Sequence, residues 1–251
     1  MAIWIEPRSA RVAAGLLAVA GVAWLAMIRW SHGMQPAPGT MGLRAPGFVA
    51  LWTVMTAAMM LPALAPLATM YAGSGAGKAT RVTGLAAGYL LAWTGFGLVA
   101  LLASHAAASL ASEHERGVVW LGAATLVGAG LYQLSPLKGR CLAVCRSPLH
   151  LLMRMARYRG PTRHLRAGLH HGLYCIGCCW SLMVALIVLG FMDLRWMVLF
   201  AAVITLEKLS RRGQRVAVVA GIGLIVLGVL APWHPGLIPG LHQPLAPMMR
   251  M

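Results

Sequence analysis

The chain has 251 residues, of which 59% are hydrophobic and 10% are charged. Soluble domains carry about 25% charged residues, so this composition excludes an ordinary soluble domain and predicts a polytopic membrane protein. The net charge of +16 does not indicate a nucleic-acid partner, because the basic residues lie between apolar stretches rather than along one soluble face. The partner that the composition does imply is the lipid bilayer.

The apolar stretches follow one another along the chain, each near the roughly 20 residues that a helix needs to cross a bilayer. We predict an all-α transmembrane bundle of about seven spans, forming one domain over residues 1–251. The first stretch exceeds the ~7–15-residue core of a signal peptide and is therefore expected to be an uncleaved helix. The predicted spans cover residues 10–28, 47–71, 84–110, 117–134, 167–190, 194–209 and 215–230.

Lysine and arginine fall mainly on one side of these predicted spans. They are concentrated in the N-terminal tail, around Lys78, in the connection 135–166 and around Lys208. Cytoplasmic loops carry the excess of basic residues in membrane proteins. The sequence therefore predicts a multi-pass protein of the bacterial inner (plasma) membrane, with the N-terminus in the cytoplasm and the C-terminus outside.

The connection 135–166 is cytoplasmic in this topology. Within it, Ser147 is suited to cap a helix and Pro148 to occupy its first turn. The leucines and methionines that follow alternate with arginines, which predicts a basic amphipathic helix lying on the inner leaflet. The weaker alternative is an arm that binds RNA or a protein partner.

The cysteines are the residues with the most distinctive pattern. They form two neighbouring groups, Cys141 with Cys145 and Cys175 with Cys178 and Cys179. In a helix, His171, Cys175 and the following pair would share one face. Cysteine also serves as a small buried hydrophobe, but that role does not explain confinement to two groups. Clustered thiols in a reducing compartment indicate metal binding or redox chemistry rather than structural disulfides.

Thiolate and thioether ligands select Cu(I), Zn(II) or iron–sulfur clusters. The chain has 16 methionines, with Met59 in the second predicted span and Met183 one turn beyond Cys179. Methionine also fills packing gaps, so it favours Cu(I) only modestly, with Zn(II) as the next candidate. The predicted metal ligands are Cys141, Cys145, Cys175, Cys178, Cys179, His171, Met59 and Met183.

Two acidic residues lie close to the predicted spans. Glu207 ends the span 194–209 beside Lys208, where a carboxylate has either a functional role or a plain ion pair. Asp193 lies in a short turn and is expected to be a turn or cap residue rather than a proton carrier.

Several segments together resemble a known family. They are MTAAMMLPALAP (55–66), YQLSPLKGRCLAVCRSP (132–148), GLYCIGCCWSLM (172–183), GFMDLRWM (190–197) and LEKL (206–209). The chain is similar over residues 51–209 to an uncharacterised bacterial family described as predicted metal-binding integral membrane proteins. The resemblance implies a membrane location and metal binding by the five cysteines. Asp193 stands where that family is expected to have asparagine.

These observations favour a protein that receives, stores or passes a soft metal ion, or a transporter of it, over an enzyme. Its partners would be a metal donor or acceptor protein, or other membrane subunits. The enzymatic alternative is a membrane thiol–disulfide oxidoreductase that exchanges disulfides between Cys141/Cys145 and Cys175/Cys178. A structural subunit of a larger membrane complex is a further alternative. We predict no catalytic residue and no organic cofactor site.

Overall fold

A computed structural model describes residues 7–33, 43–73, 77–113, 115–190 and 193–234. Within these ranges the chain is built from helices without any strand, which confirms the predicted all-α bundle. The helices are α1 (Pro7–Gly33), α2 (Ala45–Ala72), α3 (Lys78–Glu113), α4 (Glu115–Leu134), α5 (Pro136–Cys145), α6 (Pro148–Met155), α7 (Arg163–Leu189), α8 (Leu194–Leu209) and α9 (Gly213–Leu230).

Six of the described helices are long and apolar enough to cross a membrane. These are α1, α2, α3, α4, α7 and α9. The remaining predicted span forms as α8, but its 16 residues fall short of the roughly 20 that a spanning helix needs. Large apolar side chains such as Leu102 and Val219 stand about 70% exposed on the outside of the bundle, as lipid-facing residues do.

Glycines allow α3 and α7 to lie in very close contact. Gly168 of α7 lies against the backbone of Leu85, and Gly88 of α3 lies against the backbone of Leu165. A Cβ atom at either glycine would overlap the facing carbonyl oxygen. Such small residues let helix backbones approach in lipid. This contact brings Tyr89, one residue beyond Gly88, next to the cysteines of α7.

Glycines of α9 serve the same purpose against α4. Gly221 faces Gly130, and Gly228 faces the backbone of Ala123. By contrast, Gly223 has open space beside it. The close packing holds α4 beside α9. The last turn of α4 also lies near the last turn of α8, since the Gln133 side chain donates a hydrogen bond to Glu207.

The connection 135–166 contains two helices instead of the single amphipathic helix that the sequence predicts. The additional helix is α5, which begins after Ser135, whose hydroxyl accepts a hydrogen bond from Lys138 N at 3.2 Å. The predicted helix is α6, with Ser147 at the N-cap position and Pro148 in the first turn. However, the Ser147 side chain makes no capping hydrogen bond. The sequence did not reveal α5, because a short segment of mixed polarity has little helical periodicity.

Asp193 begins α8. Its Oδ1 accepts a hydrogen bond from Arg195 N at 2.8 Å and lies 3.5 Å from the exposed Arg195 side chain. This contact satisfies one of the free amides at the start of the helix. The prediction of a turn or cap residue is confirmed.

Candidate metal centre

Three thiols meet near the middle of α7. Cys175, Cys178 and Cys179 are fully buried, and their sulfur atoms all lie within 4.8 Å of one another. The Sγ atoms of Cys178 and Cys179 are 3.3 Å apart. Helical spacing at i, i+3 and i+4 places the three side chains on one face. We call these three residues the thiol cluster.

The second group of cysteines comes to the thiol cluster on α5. Cys145 Sγ lies 3.7 Å from Cys178 Sγ, so a fourth sulfur adjoins the three of α7. Cys141, one turn earlier, packs against Gly177, where an added Cβ would lie 3.1 Å from the Cys141 sulfur. Both α5 cysteines are half-buried. The structure therefore brings together the two groups, whose nearest members, Cys145 and Cys175, are 30 positions apart in the chain.

His171 lies one turn before Cys175 on the same helix. Its ring is buried and stacks on Tyr89, with ring centroids 5.5 Å apart and an interplanar angle of 24°. Its Nδ1 atom is buried without a hydrogen-bond partner. Buried ring nitrogens normally find a partner, so this nitrogen is free to bind a ligand. His171 nevertheless lies outside the group of donors that are mutually within 4.8 Å.

Met59 and Met183 are both buried, in α2 and α7 respectively. Met183 follows Cys179 at i+4 and therefore shares its helix face. Packing in the core would also bury these side chains, so burial does not distinguish a packing role from metal binding. Their assignment as metal ligands stays a prediction.

Two polar groups from other helices contact the Cys175 sulfur. Lys208, in the last turn of α8, donates a hydrogen bond from Nζ to Cys175 Sγ at 2.8 Å. The Tyr89 hydroxyl lies 2.9 Å from the same sulfur. Lys208 is buried, and a buried ammonium is costly unless an anion lies beside it. This arrangement favours Cys175 as a thiolate.

A separate ion pair neutralises Glu207. Lys138 Nζ lies 2.7 Å from Glu207 Oε2, and Gln133 Nε2 donates to Glu207 Oε1 at 3.0 Å. Lys138 also donates to the Gln133 side chain, and all three residues are completely buried. The charge of Glu207 is thus satisfied by Lys138, which leaves the Lys208 ammonium facing the thiol cluster.

These contacts change the assignment of two basic residues. The distribution of basic residues along the sequence places Lys138 and Lys208 among the charges of cytoplasmic loops, but both side chains lie inside the bundle. The adjacent Glu207 could have indicated that a lysine is buried beside it, since an ionisable residue near an apolar span requires a partner. Tyr89 gave no such signal, because it is 86 residues from Cys175 and lies in an unremarkable apolar helix.

The arrangement is suited to a soft metal ion. Four sulfur atoms converge from two helices, and one of them is held beside a lysine. Thiolates in an apolar environment select Cu(I) or Zn(II) over hard cations, which prefer oxygen ligands. Glu207, the carboxylate nearest in sequence to this lysine, is already occupied by Lys138.

Residues 49–231 match a family model described as PpoB2, copper chaperone. The chain belongs to this copper chaperone family. The match runs from α2 to just beyond α9, so it contains all five cysteines together with Tyr89 and Lys208. No curated protein and no solved structure matches the chain. Membership in the copper chaperone family supports the metal-related family that the sequence resembles, and copper or another soft metal as the ion that the cysteines handle.

Proposed function

We propose that this protein is a membrane-embedded copper chaperone that holds Cu(I) between α5 and α7. The resident ligands are drawn from the thiol cluster and Cys145. The observation that carries the proposal is the convergence of four sulfur atoms: three buried donors within 4.8 Å of one another, and Cys145 Sγ 3.7 Å from Cys178 Sγ. Such a set satisfies a soft monovalent ion without any oxygen ligand.

The charge of Lys208 supports Cu(I) over zinc. A Cu(I) ion bound by two thiolates carries a single negative charge, which one ammonium neutralises. A zinc ion bound by four thiolates, as in structural zinc sites, carries two negative charges, of which one would stay uncompensated. Uncompensated charge inside an apolar bundle is costly. Lys208 therefore favours the dithiolate Cu(I) complex, with Zn(II) as the alternative that metal analysis would reveal.

The burial of the thiol cluster supports metal binding over disulfide exchange. A thiol–disulfide oxidoreductase needs an accessible thiolate that can attack a partner disulfide. Cys175 and Cys178, which would have to form one exchanging pair, are completely buried. A bound ion can instead reach such sulfurs by ligand exchange through the half-buried α5 cysteines.

The six helices of spanning length support placement in a membrane. The excess of basic residues in the connection that carries α5 and α6 supports a cytoplasmic position for it, and therefore for the partner that donates or accepts the ion. The helix α9 packs antiparallel to α4, since Gly221 faces Gly130 while Gly228 faces Ala123. This packing supports opposite sides of the membrane for the two termini, with the C-terminus outside.

Metal analysis of the purified full-length protein tests the proposal. Cells are grown with added copper, and the copper and zinc content is measured for the natural sequence and for a variant with Cys175, Cys178 and Cys179 all changed to Ser. Ala185→Ser, at a buried position of the same helix, serves as the matched control. We expect copper in the natural protein and in the control, and little in the triple variant. Equal copper in all three would remove the proposal, and zinc in place of copper would overturn the choice of ion.

A further inference from the structure

The cysteines differ in their access to the surface. The three sulfurs of the thiol cluster are fully buried in α7, whereas Cys141 and Cys145 on α5 are half-buried. An ion that reaches the thiol cluster from outside the bundle must first meet a donor at its edge. The two α5 residues are the sulfur donors at that edge.

The position of α5 makes these donors a connected series. Cys141 and Cys145 are four positions apart and so share one face of α5, which is the face toward α7. Cys145 Sγ lies 3.7 Å from Cys178 Sγ. The Cys141 sulfur occupies the space beside Gly177, where any larger residue would crowd it. The sulfur atoms therefore form a series from the half-buried Cys141 and Cys145 on α5 to the buried thiol cluster on α7.

Three contacts hold the first turn of α5 in this position. The Lys138–Glu207 ion pair joins α5 to α8, and the Ser135 hydroxyl caps the first turn of α5. The Tyr132 hydroxyl, just before α5, donates to the carbonyl oxygen of Gly177 on α7. The first turn of α5 thus contacts both neighbouring helices, and Cys141 in the next turn lies against α7.

We propose that Cys141 is an exchange ligand rather than a resident one: it is the first thiol to take Cu(I) from an external thiolate complex and the last to release it. The inference rests on the proposed function. The thiol cluster and Cys145 already offer four sulfurs, more than the two that the dithiolate Cu(I) complex uses, so Cys141 is available for transfer. The substrate is a Cu(I)–thiolate complex, either of a small thiol or of a protein.

Each exchange step conserves charge and oxidation state. One copper–sulfur bond forms to the incoming Cys141 sulfur while one bond to the donor sulfur breaks. The incoming thiol gives up its proton, and the departing thiolate takes up a proton. Copper stays Cu(I) throughout, so no oxidant or reductant is needed. The next step repeats the exchange between Cys141 and Cys145.

Transfer kinetics with the full-length protein in lipid nanodiscs test this role. Loading is followed from a Cu(I)–glutathione complex, and release is followed with a coloured Cu(I) chelator. For Cys141→Ser we expect unchanged copper content at equilibrium and a fall in both rates by about tenfold or more, since an exchange ligand lowers the barrier in both directions. Ala143→Ser, at an exposed position of the same helix, is the matched control and should transfer at the natural rate.

Gly177→Ala provides a second variant that keeps every thiol. The added methyl would lie 3.1 Å from the Cys141 sulfur and displace it, so both rates should fall while the copper content is retained. Natural rates in Cys141→Ser would overturn the inference and leave the proposed function intact. Lost copper in Cys141→Ser would also overturn it, because Cys141 would then be a resident ligand. No copper in the natural protein would instead remove the proposed function itself.

Discussion

Lys208 Nζ lies 2.8 Å from Cys175 Sγ, although the adjacent carboxylate of Glu207 would be the simpler partner for a lysine. The two neighbours on α8 point to different places: Glu207 pairs with Lys138, and Lys208 faces the thiol cluster. The last turn of α8 therefore contributes a positive charge to the candidate metal centre.

Lys208→Met should weaken Cu(I) binding by at least about tenfold, because the negative dithiolate complex would lose its buried counter-charge. The dissociation constant is measured by competition with a Cu(I) chelator at fixed pH. Lys208→Arg keeps the charge and should retain most of the affinity. An unchanged dissociation constant in Lys208→Met would show that the lysine does not compensate the bound complex.

The stability of the protein should depend on Lys138 and Glu207 being present together or removed together. Changing either residue alone to Met leaves one buried charge unpaired, which costs about 3–5 kcal/mol. The double variant removes both charges and should recover much of that loss. Thermal unfolding in detergent measures the four proteins of this double-mutant cycle. If the two single losses simply added in the double variant, the proteins would show no coupling between the side chains.

The cysteines should react with a thiol reagent in an order set by their exposure. In the copper-free protein, Cys141 and Cys145 should be alkylated before the three residues of the thiol cluster, which are completely buried. Copper should then protect Cys145 while leaving Cys141 reactive, since only Cys145 is assigned to the resident set. Mass spectrometry of the labelled peptides gives the order. Early labelling of Cys178 would contradict the buried centre.

The close contact between α3 and α7 should be sensitive to a single methyl group. Gly168→Ala places a Cβ against the carbonyl of Leu85, and overpacking of this kind costs typically about 1–3 kcal/mol. The shift would also move Tyr89 away from Cys175 and weaken copper binding. Gly95→Ala in α3, where the space beside the glycine is open, is the control and should not destabilise the protein. The free energy of unfolding and the copper affinity are both measured. A Gly168→Ala protein as stable as the control would contradict the packing.

The sequence predicted the helices well, because long apolar stretches leave few alternatives in a membrane protein. The predicted span 117–134 ends where α4 ends, and the span 194–209 has the bounds of α8. The number of spans was predicted less well, because α8 is apolar but has only 16 residues and is shorter than a typical spanning helix. The sequence shows that a helix is apolar, whereas the depth in the bilayer at which a short helix ends depends on the helices packed against it.

The cysteines of the candidate centre were found from their clustering alone, but their polar neighbours were not. Tyr89 and Lys208 come from helices far apart in the chain, and only the packing of α3 and α8 against α7 places them on Cys175. Lys138 was counted as a loop residue, because the short helix α5 was not expected. The Met- and His-containing C-terminal tail lies outside the described residues.

X-ray absorption at the copper edge of the loaded protein distinguishes a copper ion bound by sulfur from one bound by nitrogen and oxygen. We expect an edge typical of Cu(I) and a first coordination shell of sulfur alone. We also expect that this spectrum is lost when Cys175, Cys178 and Cys179 are changed to Ser. A shell of nitrogen and oxygen in the natural protein, or the same spectrum in the triple variant, would contradict a copper centre built from these sulfur atoms.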